Sequence, residues 1–173
     1  GINNLEIARE YLINGADKIC LNTIAYRDPQ MLSKLVNYFG KSTICVSIDY
    51  KLDKFSQNKV FINNGNEQID IDPLSWAIEV ERRGAGEIIL TNIDKDGTKA
   101  GLDLETIKEI SMSVKIPVIC SGGCGSIEHF IKGYKVAKAS AVSAGTYFCF
   151  KDQGFMQVRS ALKNAGVSIR TST

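Results

Sequence analysis

Asp49 closes the apolar run Ile44-Cys-Val-Ser-Ile-Asp49, and a carboxylate placed at the end of such a run can take up or give a proton. Other runs end in small residues. Glu87-Ile-Ile-Leu-Thr-Asn runs into Ile-Asp-Lys-Asp-Gly-Thr98, Val118-Ile-Cys-Ser ends in Gly122-Gly123, and Ala141-Val-Ser-Ala ends in Gly145-Thr146. Gly-Gly and Gly-Thr ends suit an anion, because backbone N–H groups approach it closely where no Cβ intervenes. The chemistry written in these endings is proton transfer beside a phosphate cradle. Short apolar runs bounded by turn residues read as buried parallel strands. Parallel strands that deliver such residues at their C-terminal ends build a site on one face of a (β/α) barrel.

Composition narrows the rest. The chain has 173 residues, suiting one domain with a sizeable core, and a formal charge of +2. Lys and Arg are scattered, which argues against a nucleic-acid or anionic-membrane surface. An acidic ligand must therefore be held locally. No apolar run approaches the ~20 residues of a membrane span, and no signal-like segment is present, so a cytoplasmic protein is expected. The first residue is Gly1, which leaves room for a missing N-terminal part. The five cysteines, Cys20, Cys45, Cys120, Cys124 and Cys149, are odd in number and form no CxxC. Four lie in or at the end of strand-like runs, where Cys acts as a small hydrophobe. A reduced interior is expected rather than a disulfide or metal framework.

Strand-like and helix-like segments alternate, the pattern of βαβ units. A helix is expected from Leu5 to Asn14, stopped by Gly15, then a strand from Lys18 to Asn22. Asp28-Pro29 opens a helix to about Phe39, and a strand follows over Ile44–Tyr50. Lys59–Ile62 and Gln68–Ile71 flank Asn63-Asn-Gly-Asn66, a hairpin signal, here read as an excursion at about 52–71 on the loop after the Asp49 strand. Asp72-Pro73 caps a helix to about Arg83, and helices are expected at Leu104–Ser113, from Ser126 to Val136 and from Asp152 to Asn164. The total is five strands and about six helices. A complete eight-strand barrel typically needs ~250 residues. The expectation is a partial TIM barrel forming one domain over 1–173, with about five parallel strands (4 to 8) and the first three absent. An internal echo links Ala16–Thr23 with Ala139–Thr146, as a duplicated half-barrel would.

The motifs resemble the cyclase subunit of imidazole glycerol phosphate synthase, the HisF family. The matching stretches are Gly15-Ala-Asp-Lys18 with Asn22-Thr23, Ser47-Ile-Asp-Tyr-Lys51, Gly84-Ala-Gly-Glu87 leading into Thr91-Asn-Ile-Asp-Lys-Asp-Gly-Thr-Lys99, Ser121-Gly-Gly-Cys-Gly125 and Glu128-His-Phe130. The resemblance implies a lyase of histidine biosynthesis. Ammonia from a glutaminase (glutamine amidotransferase) partner would pass along the barrel axis. It would react with a phosphoribulosyl aminoimidazole carboxamide nucleotide to give imidazole glycerol phosphate and aminoimidazole carboxamide ribotide. No metal or redox cofactor is implied.

Residue by residue, the resemblance makes Asp49 one of two catalytic carboxylates, the other lying on a strand absent here. It assigns one substrate phosphate to Gly97, Gly123, Gly145 and Thr146, with Gly122 in the same turn. The other falls to Asn22 and Thr23, beside Gly1. Asp96 is expected to touch substrate, and Asp94 to hold its loop. Ser121 fits a substrate contact or a turn equally. Lys51 reads as a solvated loop lysine. Lys18 and Glu87 begin strands, so they lie at the opposite face, where the family has a charged ring gating ammonia; Asp17 is expected at the glutaminase contact. An ordinary surface ion pair is the alternative. His129 sits on a helix away from the strand ends, and Trp76 and Phe130 read as packing.

Three features depart from the histidine-pathway pattern: Asn66–Asp72 in the hairpin, Tyr50 in place of a small residue, and Lys151–Gln157 near the end. They resemble paralogues found with surface-polysaccharide genes, thought to supply ammonia for amidating a sugar. A non-catalytic partial barrel, folded as a dimer or on a partner, is a further alternative. The piece alone is expected to be inactive.

Overall fold

A computed structural model describes residues 1–149 and 154–169. The helices are α1 (Leu5–Ile13), α2 (Thr23–Arg27), α3 (Pro29–Phe39), α4 (Pro73–Arg82), α5 (Leu104–Ser113), α6 (Ile127–Lys135), α7 (Gly145–Cys149) and α8 (Phe155–Asn164). The strands are β1 (Ile19–Leu21), β2 (Ile44–Leu52), β3 (Asn58–Ile62), β4 (Glu67–Gln68), β5 (Glu87–Asn92), β6 (Val118–Ser121) and β7 (Ala141–Val142).

Local chemistry starts the helices where the sequence says it should. Asn4, Asp28, Asp72, Asp103 and Ser126 each accept a backbone N–H of the first turn through a side-chain oxygen. Pro29 and Pro73 occupy the first helical position, where a missing N–H costs nothing.

All strands join one sheet. β1, β2, β5, β6 and β7 run parallel in that order, with Cys45 opposite Cys20 on one side and Glu87 on the other. The fold is α/β with a mostly parallel sheet. Ile44, Val46, Ile48 and Tyr50 of β2, with Ile88 and Leu90 of β5, point to the helix-covered face and are buried. The alternate residues, Ser47, Asp49, Ile89, Thr91, Ile119 and Ser121, are half-buried, and Cys20 is exposed.

Three expectations change. The 52–71 segment is woven into the sheet: β3 pairs antiparallel with β2, Asp49 opposite Phe61, so it adds two strands. Among the described residues β1 pairs only with the first residues of β2, which leaves the far half of that edge free for β3. Two helices, α2 and α7, were not expected; the five residues of α2 are too few to show a helical period. Cys20, in a strand-like run, is exposed rather than packed as a small hydrophobe, and Cys149 is exposed as well. The start expected for the last helix, Asp152, and part of the Lys151–Gln157 stretch fall outside the described residues.

Candidate functional site

Asp49 stands near the C-terminal end of β2. Asn22, just past β1, donates its Nδ2 to Asp49 Oδ2 at 3.1 Å and to the Ser47 carbonyl at 3.2 Å. The Ser47 hydroxyl donates to Asp49 Oδ1 at 3.1 Å. Burial raises the Asp49 carboxyl above the ordinary aspartate value. The two hydrogen bonds oppose that shift, and the nearby charge of Asp96 adds to it. A carboxyl moved toward neutrality and held by two donors is suited to exchanging a proton with a bound molecule.

One cleft gathers residues from three strand ends: Asp96, Gly97, Ser121, Gly122, Gly123, Gly145 and Thr146. Gly122 and Gly123 both have positive φ, at 91° and 92°. A Cβ on Gly122 would come within 2.3 Å of the Asn92 carbonyl, and one on Gly123 within 2.3 Å of the Gly101 carbonyl. These two glycines are therefore demanded by the turn itself. Gly145 is different: its φ is unremarkable and a Cβ there would meet nothing within 4 Å. Asp96 accepts from the Gly97 N–H at 3.1 Å, and Gly97 also has positive φ.

A second, wider hollow is lined by Gly1, Asn22, Thr23, Arg27, Asn63 and Asn64, among others. Thr23 accepts from the Asn63 N–H at 2.9 Å, so the hairpin is pinned to the end of β1. Arg27 pairs with Glu67 across the same junction. The internal echo reappears here in three dimensions. β1 and β7 are each followed by a helix, starting at Thr23 and at Gly145.

The expected residues thus fall into three places. Asp49 and Asn22 touch each other; Asn22 and Thr23 line the wide hollow; Asp96, Gly97, Ser121–Gly123, Gly145 and Thr146 line the cleft. Lys18 and Glu87 stand apart from these, at the N-terminal ends of β1 and β5, and pair at 2.8 Å. Asp17 precedes them and is exposed. Lys51 lies on β2, not in a loop, with its Nζ 4.5 Å from the centre of the Phe61 ring. His129 uses Nδ1 to accept the Gly125 N–H at 3.1 Å, a structural task in the turn after Gly122-Gly123. Trp76 and Phe130 are buried and pack edge-on against Tyr26 and Tyr147. Asp94 accepts the Leu52 N–H at 3.1 Å and so ties its loop to β2.

Sequence reasoning missed the support beneath the loop. Asn92, buried at 6% exposure, donates to Asp103 Oδ2 and accepts from the N–H groups of Asp94 and Lys95. The Tyr50 hydroxyl donates to the same Asp103 oxygen at 3.1 Å. One buried network thereby fixes both ends of the 94–103 segment that carries Asp96 and Gly97. An Asn inside an apolar strand was the only signal available.

Comparison with known proteins supplies the family. The family model described as "Histidine biosynthesis protein" matches residues 1–153. A Prochlorococcus marinus protein with the provisional name imidazole glycerol phosphate synthase subunit hisF2 is 43% identical over 170 residues, 98% of this chain and 65% of that protein. Imidazole glycerol phosphate synthase subunit HisF of Clostridium botulinum (strain Kyoto / Type A2) is 44% identical over 171 residues, 98% of this chain and 68% of its own length. The HisF subunit of Chloroherpeton thalassium is 41% identical over 170 residues, covering 98% and 67%. The chain spans about two thirds of the length of the curated relatives it matches.

Proposed function

The chain belongs to the histidine biosynthesis protein family, and on that premise we propose that it is part of the cyclase subunit of imidazole glycerol phosphate synthase. Its five parallel strands are strands 4 to 8 of an eight-strand TIM barrel whose first three lie outside these residues, and 1–173 is one domain. The reaction is the lyase step that uses glutaminase-derived ammonia to convert a phosphoribulosyl aminoimidazole carboxamide nucleotide to imidazole glycerol phosphate and aminoimidazole carboxamide ribotide. The setting is cytoplasmic; among the described residues no helix is long and apolar enough to cross a membrane.

The observation that carries this reading is the Asp49 carboxyl, raised by burial and held by Asn22 and Ser47 at the strand ends that bear the glycine-lined cleft. Asp49 exchanges protons during ring closure and C–N cleavage, sharing that work with a carboxylate on a strand outside the chain. Gly97, Gly122, Gly123, Gly145 and Thr146 hold one phosphate; Asn22 and Thr23, in the wide hollow, hold the other. Asp96 and Ser121 meet the body of the substrate. Lys18 and Glu87 gate ammonia at the far end, next to a glutaminase docked about Asp17. With half of its acid–base pair, the 173-residue chain alone is inactive.

A second reading rests on Tyr50. Its buried bond to Asp103 braces the loop after β5 with a residue unlike the histidine-pathway form, and it favours a paralogue that passes ammonia for amidating a surface-polysaccharide sugar. The test is an assay of ammonia-dependent turnover of the nucleotide by this chain together with its preceding strands. Asp49→Asn is expected to reduce turnover by on the order of 10²–10⁴-fold. Undiminished turnover in that variant would remove Asp49 from the chemistry. No turnover by the folded, longer protein would favour the sugar-amidating paralogue.

A further inference from the structure

Cys20 and Cys45 stand directly opposite each other on the parallel strands β1 and β2, and their sulfurs are 3.8 Å apart. Neither lines the glycine-walled cleft, while Cys20 lies on the wall of the wider hollow near Asn22. Cys20 is exposed on the face of the sheet that the helices do not cover, and Cys45 is buried beneath it. Adjacent strands lie about 4.8 Å apart, inside the roughly 4.4–6.8 Å between Cα atoms that a disulfide spans. The sulfurs, 3.8 Å apart, must close to about 2.05 Å to bond.

We propose that, in the 173-residue chain, Cys20 and Cys45 form an oxidation site, a dithiol that a peroxide converts to a disulfide linking β1 to β2. The proposal rests on no reading of the catalysed reaction. The two sulfurs divide the work by their surroundings. The Cys20 thiol donates to the Cys45 sulfur, and the hydrogen bond between the two is the largest influence on Cys20, lowering its thiol against burial and the charges of Asp49 and Glu87. The same contact raises Cys45, and burial raises it further. Cys20, exposed and open to a peroxide, is the nucleophile, and Cys45, buried beside it, is the resolving thiol. The Cys20 thiolate attacks one oxygen of hydrogen peroxide, breaking the O–O bond; the departing hydroxide takes a proton and leaves as water. The product is a Cys20 sulfenic acid. The Cys45 sulfur then attacks the Cys20 sulfur, the S–O bond breaks, and the hydroxyl leaves as water with the Cys45 proton. Two thiols and one peroxide give one disulfide and two waters, the two electrons passing from sulfur to oxygen. Cys120 and Cys124 do not compete, being buried with thiols pushed up to about 12.

The experiment treats the purified 173-residue chain with hydrogen peroxide at neutral pH, alkylates the remaining thiols, digests with trypsin without reduction and reads the peptides by mass spectrometry. Peptides 19–27 and 42–51 are expected to appear joined, lighter by two hydrogens, and to separate with dithiothreitol. Cys20→Ser, at an exposed position, is expected to keep the far-ultraviolet dichroism and lose the joined peptide. Sulfinic acid on Cys20 with Cys45 still alkylated would overturn the proposal. So would unchanged Cys20 and Cys45 while Cys149 is oxidised.

Discussion

Asp49 is held between two opposing demands, and its protonation makes that visible in stability. Burial raises its carboxyl in the folded protein above the ordinary value of 3.8. Between those two values the folded state binds more protons than the unfolded one, so stability falls as pH rises through the interval. The penalty is complete above the raised value and absent below 3.8. Asp49→Asn removes the ionisable group while keeping an oxygen that accepts from Asn22. The variant is therefore expected to gain on the natural protein as pH rises from about 4 to 7, so that its urea midpoint exceeds the natural one most clearly at neutral pH. Chemical denaturation across that range is the check. A midpoint difference that does not change with pH would show that Asp49 is not held in a desolvated position. Higher stability coupled to lost turnover would be the mark of a residue kept for chemistry rather than for folding.

At the scale of elements, the glycines that end the strands separate into those the backbone demands and those it does not. Gly122→Ala places a methyl 2.3 Å from the Asn92 carbonyl in a conformation with φ of 91°. It is expected to cost roughly 1–3 kcal/mol, seen as a lower thermal midpoint with or without ligand. Gly145→Ala meets open space at the first residue of α7, with no positive φ. Its effect on stability is expected to stay within about 0.5 kcal/mol, while binding of inorganic phosphate, followed by calorimetry, weakens. Unchanged phosphate affinity in folded Gly145→Ala would take that residue out of the cradle. This distinction was not legible in the sequence, where Gly-Gly and Gly-Thr look alike. What was legible follows from local causes: caps such as Asp72-Pro73 and Ser126, and β2 and β5 as short apolar runs. The interlocking of β3 with β2 depends on which part of an edge β1 leaves free, a matter of long-range register. The Tyr50–Asp103–Asn92 network was hidden for the same reason: it joins residues up to 53 positions apart.

The molecule as a whole has a sheet whose two faces are unequal. Helices bury Ile44, Val46, Ile48, Ile88 and Leu90 on one side. On the other, Ile89, Ile119 and Ala141 remain half-exposed, with exposed Cys20 on β1 and polar Ser47, Asp49, Thr91 and Ser121 toward the C-terminal ends. Among the described residues β1 pairs only with β2 and β7 only with β6, so the parallel array ends in two edges. These edges are three and two residues long, short enough to blunt strand-to-strand addition. The half-open apolar area is the stronger drive, since covering it gains about 25 cal/mol per Å². The isolated chain is therefore expected to associate as its concentration rises, mainly face to face. Sedimentation velocity should show a weight-average mass climbing above 19.0 kDa. Replacing Ile89 and Ile119 by Thr, which keeps the β-branched shape but adds a hydroxyl, should shift the association to higher concentration. A monomer at every concentration would mean that the open face is content in water, and would weigh against reading these five strands as part of a larger barrel.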